Sequence, residues 1–228
     1  LPPGADAVIM VEHTQNLGQN TVEVRKTVVP GENVMLVGED VAANDVALPA
    51  GRRLRPQDIG LMAALGFNTA RVHCRPRCGI VSTGDELVPV TDKPRPGQVR
   101  DVNTHTLACL ARQAGAIPVL RGLVPDQRES LVRVISESLD QDDVLFISGG
   151  SSIGVRDLTI DVLESFADSE ILAHGVSISP GKPTILARVG DKPVLGLPGQ
   201  VTSAQIVMLV FGQPLLAHLG GDARAFDP

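Results

Sequence analysis

From Cys78 onward the chain alternates three kinds of segment: short apolar runs, loops rich in Gly, Asp and Pro, and stretches whose apolar residues recur at helical spacing. The runs Gly79 to Ser82, Ile117 to Leu120 and Val144 to Ile147 read as buried strands. Thr104 to Ala114 reads as a helix, with Leu107, Leu110, Ala111 and Ala114 on one face and Gly115 as its stop. Asp126 followed by Glu129 reads as a capping box, opening a helix that buries Leu131, Val134, Ile135 and Leu139. Leu158 to Phe166 predicts another helix, Val176 to Ile178, Thr184 to Arg188 and Val194 to Leu197 read as further strands, and a last apolar helix runs from about Thr202 to Leu216, kinked at Pro214. This alternation predicts an α/β fold, a three-layer arrangement of a mainly parallel sheet with helices on both faces.

Ahead of it the pattern is different. Ala7 to Glu12 and Thr21 to Arg25 read as a hairpin joined through Asn16 to Asn20, and Asn33 to Val37 as a third short run. These are too small to fold alone, so part of a β domain is expected before Leu1. Pro56 predicts the first residue of a short helix with Ile59, Met62 and Ala63 at helical spacing and Gly66 at its end. Pro76 disfavours helix at Arg75, which places the main boundary there. The expected organisation is a partial β-rich domain over 1–38, a small mixed segment over 39–75, the α/β domain over 76–221, and a linker over 222–228 toward a further domain.

Composition narrows the function classes. A net charge of −6 with no Trp, no Tyr and five Phe in 228 residues offers neither attraction to phosphate backbones nor base-stacking surfaces, so nucleic acid is not an expected partner. The run Arg71, His73, Arg75, Arg77 reads as a solvated strand edge. No uninterrupted apolar run reads as a membrane span and no leader pattern is seen, and three cysteines fit a reducing compartment, so a cytoplasmic location is expected. Cys109 reads as core. His73, Cys74 and Cys78 have no second ligand pair at zinc-finger spacing.

Chemistry concentrates in the loops that follow strands. Gly149 and Gly150 lie between a strand and a helix, where N–H groups can turn toward an anion; a ligand-free tight turn is the alternative. In Ser82-Thr83-Gly84-Asp85-Glu86, the adjacent acids could hold Mg²⁺ or orient a hydroxyl, or could be solvated, with Asp85 a simple cap. Pro180-Gly181-Lys182-Pro183 presents one lysine on a stiff loop and is no phosphate-binding P-loop, since Val176 stands where that motif needs Gly. Leu197-Pro198-Gly199-Gln200 is a further ligand-loop candidate. Asp126 and Asp157 each read equally as helix caps.

Taken in order, these loops together with Asp101-Val102-Asn103, Ser148-Gly149-Gly150-Ser151-Ser152-Ile153-Gly154 and Asp157 resemble the molybdopterin molybdenumtransferase family, to which the gephyrin E domain is also similar. Pro2-Pro3-Gly4-Ala5-Asp6-Ala7, Gly38-Glu39-Asp40 and Pro49-Ala50-Gly51 through Gly66 extend the resemblance over nearly the whole chain. It implies Mg²⁺-assisted insertion of molybdate into adenylylated molybdopterin with release of AMP, by a homodimer whose cleft lies between subunits, in exchange with an upstream adenylyltransferase. It implies Asp40, Glu86, Asp126 and Asp157 as cleft carboxylates, with Glu86 and Asp157 on the metal. Thr83, Gly84, Asp85, Gly149, Gly150, Ser151, Ser152, Lys182, Pro198 and Gly199 would contact the pterin and its phosphate.

The chain departs from that family's pattern in several places. Val155 replaces a common acid, Ser179 a common lysine, and Gln200-Val201 the usual Asn-Pro, while the Ser-Ala-Met-Asp-Gly segment is expected upstream of Leu1. Two other functions fit some of the same residues. Arg156-Asp157-Leu158-Thr159 faintly resembles molybdopterin adenylyltransferases, and the lost lysine and Asn-Pro would suit a catalytically inactive molybdopterin-binding module.

Overall fold

The structure, a computed structural model, describes residues 1–149 and 153–227, with backbone only for 153–157. It divides into two compact units, Leu1–Pro49 and Ala50–Pro228.

In the first unit a 3-10 turn at Val11–His13 leads into the antiparallel pair β1 (Thr14–Gly18) and β2 (Thr21–Val24). The hairpin forms, but not from the expected strands. Gln19 and Asn20 both take positive φ, 49° and 62°, so the reversal falls on those two residues and draws Asn16 to Gly18 into the ladder. Ala7 to Met10 carries no strand, and Asn33 to Val37 is turn and irregular chain. None of this unit's described residues is buried.

The second unit opens with α1 (Pro56–Ala64), which starts at Pro56 as its composition requires. Asp58 accepts from the Arg55 backbone N–H at 2.8 Å, and Gly66 leaves the helix at φ +81°. The run from Arg71 to Arg75 before the sheet is exposed, as expected, but carries no strand ahead of Arg77. Arg75 donates to the Gly115 and Ala116 carbonyls at 2.7 and 2.9 Å, and the Arg77 side chain donates to the Gln141 carbonyl at 2.9 Å.

The main sheet contains β3 (Arg77–Thr83), β6 (Ile117–Val124), β7 (Val144–Gly149), β8 (Ser169–His174), β9 (Ile185–Val189) and β10 (Lys192–Leu197), in the order β6-β3-β7-β10-β9-β8. β6, β3, β7 and β10 are parallel, and β9 is antiparallel to both its neighbours. A two-stranded parallel pair, β4 (Leu87–Val88) with β5 (Val99–Arg100), frames the loop between them. Helices α2 (Asn103–Gln113), α3 (Arg128–Gln141), α4 (Ile153–Glu164), α5 (Val201–Val207) and α6 (Gln213–Leu219) complete the three layers.

Strand periodicity distributes the core. Cys78, Ile80, Val144, Phe146, Leu195 and Leu197 face α2, α5 and α6, burying Leu107, Ala111, Ala204, Met208 and Leu216. Val81, Leu145, Ile147 and Val194 face the other way, against Leu131, Val134, Ile135, Val162 and Leu163 of α3 and α4. Cys109 points out of its helix and is exposed, because it falls between the buried positions Ala108 and Ala111. Val176 to Ile178 is loop; the strand on that side is β8, whose alternate residues are half-buried and exposed. Between α5 and α6 the helix widens into a π-turn over Met208–Gly212, ahead of Pro214. Val201–Leu219 has the length and composition to span a membrane, yet Ala204, Val207, Met208 and Leu216 lie in the core, as in a buried helix of a folded domain.

The amino edge of the sheet is closed by an ion pair. A bulge in β6 between Leu120 and Gly122 inserts Arg121 out of register and aims it at Asp142. Arg121 donates to Asp142 Oδ2 at 2.9 and 2.6 Å, and Ser138 Oγ donates to the same oxygen at 2.7 Å. Gly79 leaves the room, since a Cβ there would stand 2.3 Å from Ser138 Oγ. Breaking such a buried pair on one side strands the other charge. Asp142→Ala should lower stability in urea denaturation by about 3–5 kcal/mol, whereas Glu170→Ala, which removes the exposed Arg188 pair, should change it by less than about 1 kcal/mol.

Candidate functional site

The chain leaves β3, crosses through α2 to β6 on one side, and then returns through α3 to β7 on the other. The carboxyl ends of β3 and β7 are therefore a topological switch point, the place where open α/β sheets bind ligands. Thr83 pairs with Gly149 across that point, and Thr83 also pairs with Val124 of β6. Gly149 has φ +155°, and a Cβ there would lie 2.2 Å from Thr83 Oγ1 and 2.3 Å from the Thr83 carbonyl oxygen. No other residue fits.

The loop after β3 carries the acids. Gly84 N donates to the Val124 carbonyl at 3.3 Å, and Asp126 N donates to Asp85 Oδ1 at 3.2 Å, so the loops after β3 and β6 are tied together. Asp85 and Glu86 are exposed, and Asp126 is half-buried. Asp126 is not the expected cap. The first residue outside α3 is Gln127, which makes no side-chain cap bond, and the Asp126 carboxylate instead accepts from the Thr83 side chain. Burial, then the charge of Asp85, push its carboxyl pKa above the ordinary value; the Thr83 hydrogen bond opposes this and Glu86 adds to it. A cation beside it would offset the charge of Asp85 and Glu86.

Beneath the loops lies a buried polar row. Ser82 Oγ donates to Asp101 Oδ1 at 3.0 Å and contacts Thr104 Oγ1 at 2.9 Å, and Thr104 N donates to Asp101 Oδ1 at 3.1 Å. Asn103 Nδ2 donates to Ser148 Oγ at 2.7 Å and to the Gly199 carbonyl at 2.9 Å. Sequence reading found Asp101 and Asn103 only as part of a motif and missed the roles of Ser82 and Ser148. The one signal was the hydroxyl that closes each otherwise apolar strand.

Leu197 pairs with Ser148, which brings Pro198 and Gly199 to the same edge. Gln200, one of the departures from the family pattern, caps α5: its Oε1 accepts from Ser203 N and Ser203 Oγ, both at 2.7 Å. Lys182 is exposed on the loop between β8 and β9, which also opens at the carboxyl edge; Val176 N donates to its carbonyl at 2.9 Å. The structure thus brings Thr83, Gly84, Asp85, Glu86, Asp126, Gly149, Pro198 and Gly199 to one edge, with Lys182 at its far end. Asp40 is exposed in the other unit. Gly150, Ser151, Ser152 and the Asp157 side chain lie outside the described residues. Among the described residues no group of three potential metal ligands is found, and Cys78 is buried with its thiol pKa pushed up by burial and by Asp142.

Residues 79–218 match the family model of the probable molybdopterin binding domain, and residues 1–66 match that of the MoeA N-terminal region, domains I and II. A molybdopterin molybdenumtransferase from Nostoc sp. is 36% identical over 100% of this chain and 52% of its own length. One from Haemophilus influenzae is 33% identical over 100% of the chain and 56% of its own length. The crystal structure of the molybdopterin biosynthesis MoeA protein from Pyrococcus horikosii superposes with a TM-score of 0.77 at 35% identity, covering 97% of this chain and 55% of that one. The chain thus spans about half the length of these relatives.

The charge at Asp126 gives a pH signature. Its folded pKa is raised, so the folded chain holds this proton more tightly than the unfolded one, and the stability so contributed is lost as pH rises above the ordinary 3.8. Asp126→Asn should raise the melting temperature at pH 7, with the gain shrinking toward pH 4; an equal gain at both values would contradict the assigned cause.

Proposed function

The chain belongs to the molybdopterin molybdenumtransferase family, its MoeA N-terminal region joined to a molybdopterin-binding domain, and on that premise we propose that it acts in molybdenum cofactor biosynthesis, inserting molybdate into adenylylated molybdopterin with release of AMP. The observation that supports this most is that the carboxyl ends of β3, β6, β7 and β10, with the loops after β3, β6 and β10, lie at one edge around the switch point. In this reading Gly149 lets the backbone approach the pterin phosphate, and the loop of Pro198 and Gly199 lies against the pterin. Gly150, Ser151 and Ser152 extend the phosphate loop, and Lys182 supplies a point charge for an anion.

The carboxylates have a different role. They repel molybdate, so Asp85, Glu86 and Asp126 serve it only through a cation. The raised pKa of Asp126 marks a site that a divalent ion would relieve, and Mg²⁺ suits one or two carboxylates completed by water and substrate phosphates. Glu86 and Asp126 would hold it here, joined by Asp157. Mg²⁺, when bound, neutralises charge on the pyrophosphate that links pterin and AMP. Asp40 would enter from the β unit of a second subunit in a homodimer, and an adenylyltransferase would supply the substrate.

The test is molybdate-dependent AMP release from adenylylated molybdopterin by the full-length protein. Glu86→Gln should lower it by about 100-fold or more, as loss of a group acting on developing charge does, and EDTA should abolish it until Mg²⁺ is restored. A folded protein that binds the pterin but releases no AMP would instead be a binding module, and ATP-dependent adenylylation of molybdopterin would make it an adenylyltransferase.

A further inference from the structure

We propose that Asn103 is a positioning residue that clamps the loop after β10 to the end of β7 and so fixes the width of the pterin site; the ligand named here rests on the function proposed above. Asn103 is the first residue of α2 and is 7% exposed. Both hydrogens of its Nδ2 are used, one on Ser148 Oγ at 2.7 Å and one on the Gly199 carbonyl at 2.9 Å. A carbonyl oxygen only accepts, so the amide nitrogen must face Gly199, and chemistry fixes the orientation of the side chain.

Helix formation does not account for this residue. Asp101 already accepts from Thr104 N in the first turn of α2, and Asn is a poor helix former. Asn103 Oδ1 is buried and has no hydrogen-bond partner among the described residues. Burying an amide costs desolvation that an apolar residue of similar size would avoid. What Asn103 adds is the bridge.

The bridge stands where the sheet no longer holds the chain. The ladder between β7 and β10 ends with the pairs Gly196–Ile147 and Leu197–Ser148. Beyond it, among the described residues, Asn103 is the link between Ser148, which precedes the glycine loop, and Gly199. Two residues earlier, Asp101 is bonded to Ser82 of β3. Residues 101–104 therefore span the ends of three adjoining strands. The acids Asp85 and Asp126 sit on the β3–β6 side of that row, away from the clamp. Loss of Asn103 should thus weaken pterin binding and leave the pKa behaviour of Asp126 as it was.

The experiment compares the parent chain with Asn103→Ala, Asn103→Asp, Ser148→Ala and Ser82→Ala by amide hydrogen exchange and by titration with molybdopterin. Both Asn103 variants should speed exchange at 199–204 by about fivefold or more and raise the Kd for molybdopterin about tenfold, the weight of one to two net hydrogen bonds. Ser148→Ala keeps the Gly199 bond and should show a smaller effect at 199–204. Ser82→Ala, which removes the polar contact on β3, should lower the melting temperature without speeding exchange at 199–204; if it speeds exchange there as Asn103→Ala does, the clamp is not specific and the proposal fails. If Asn103→Ala does not fold, Asn103→Asp, of equal volume, carries the test. A folded Asn103 variant whose exchange at 199–204 and Kd both stay within about twofold of the parent overturns the proposal. A parent that binds no molybdopterin overturns the proposed function instead, while the exchange data still decide whether Asn103 holds the two loops.

Discussion

Thr83 and Gly149 stand side by side at the ends of neighbouring strands with no room for a side chain between them. The rest of the second unit depends on that contact. β3 and β7 can be neighbours only because the chain passes to β6 and back across the sheet, and this route places α2 on one face and α3 on the other. The carboxyl ends of the two strands thus stand together at the switch point. Fold and site thus meet at one close approach, because the packing that brings the strands together also sets the loop of acids beside Gly149.

Much of the α/β unit was legible because its central strands are buried on both faces. Gly79 to Ser82 and Val144 to Ile147 are short apolar runs bounded by turn residues, and α2 and α3 show their buried stripes at helical spacing. Where burial is one-sided, the reading failed. β8 carries Glu170 and His174 among its apolar residues and was not among the expected strands, while Val176 to Ile178, more apolar, is held by turns around Lys182 and Thr184. In the first unit the turn at Gln19-Asn20 decided the register, and apolar content misplaced the strand.

The site was legible as a set of loops, but its internal contacts were not. Asp126 and Glu129 match a capping pattern, yet tertiary context turns Asp126 toward Thr83 and Asp85. Nothing local distinguishes those outcomes. The hydroxyls of Ser82 and Ser148 acquire meaning only when the sheet sets them beside α2, an association between residues as much as 45 positions apart. Gln200 shows the converse. It departs from the family pattern, yet its side chain supplies the cap that starts α5.

The Arg121–Asp142 pair, with Ser138 and the space kept by Gly79, lies at the edge of the sheet opposite the ligand loops. Because β6 is tied to the start of β7 at that far edge, the carboxyl ends can diversify without loosening the strands that carry them. A lineage can exchange acids, shorten a loop or replace Asn-Pro by Gln-Val on one rim while the other holds register. The amino edge thus carries register, and the opposite edge carries chemistry.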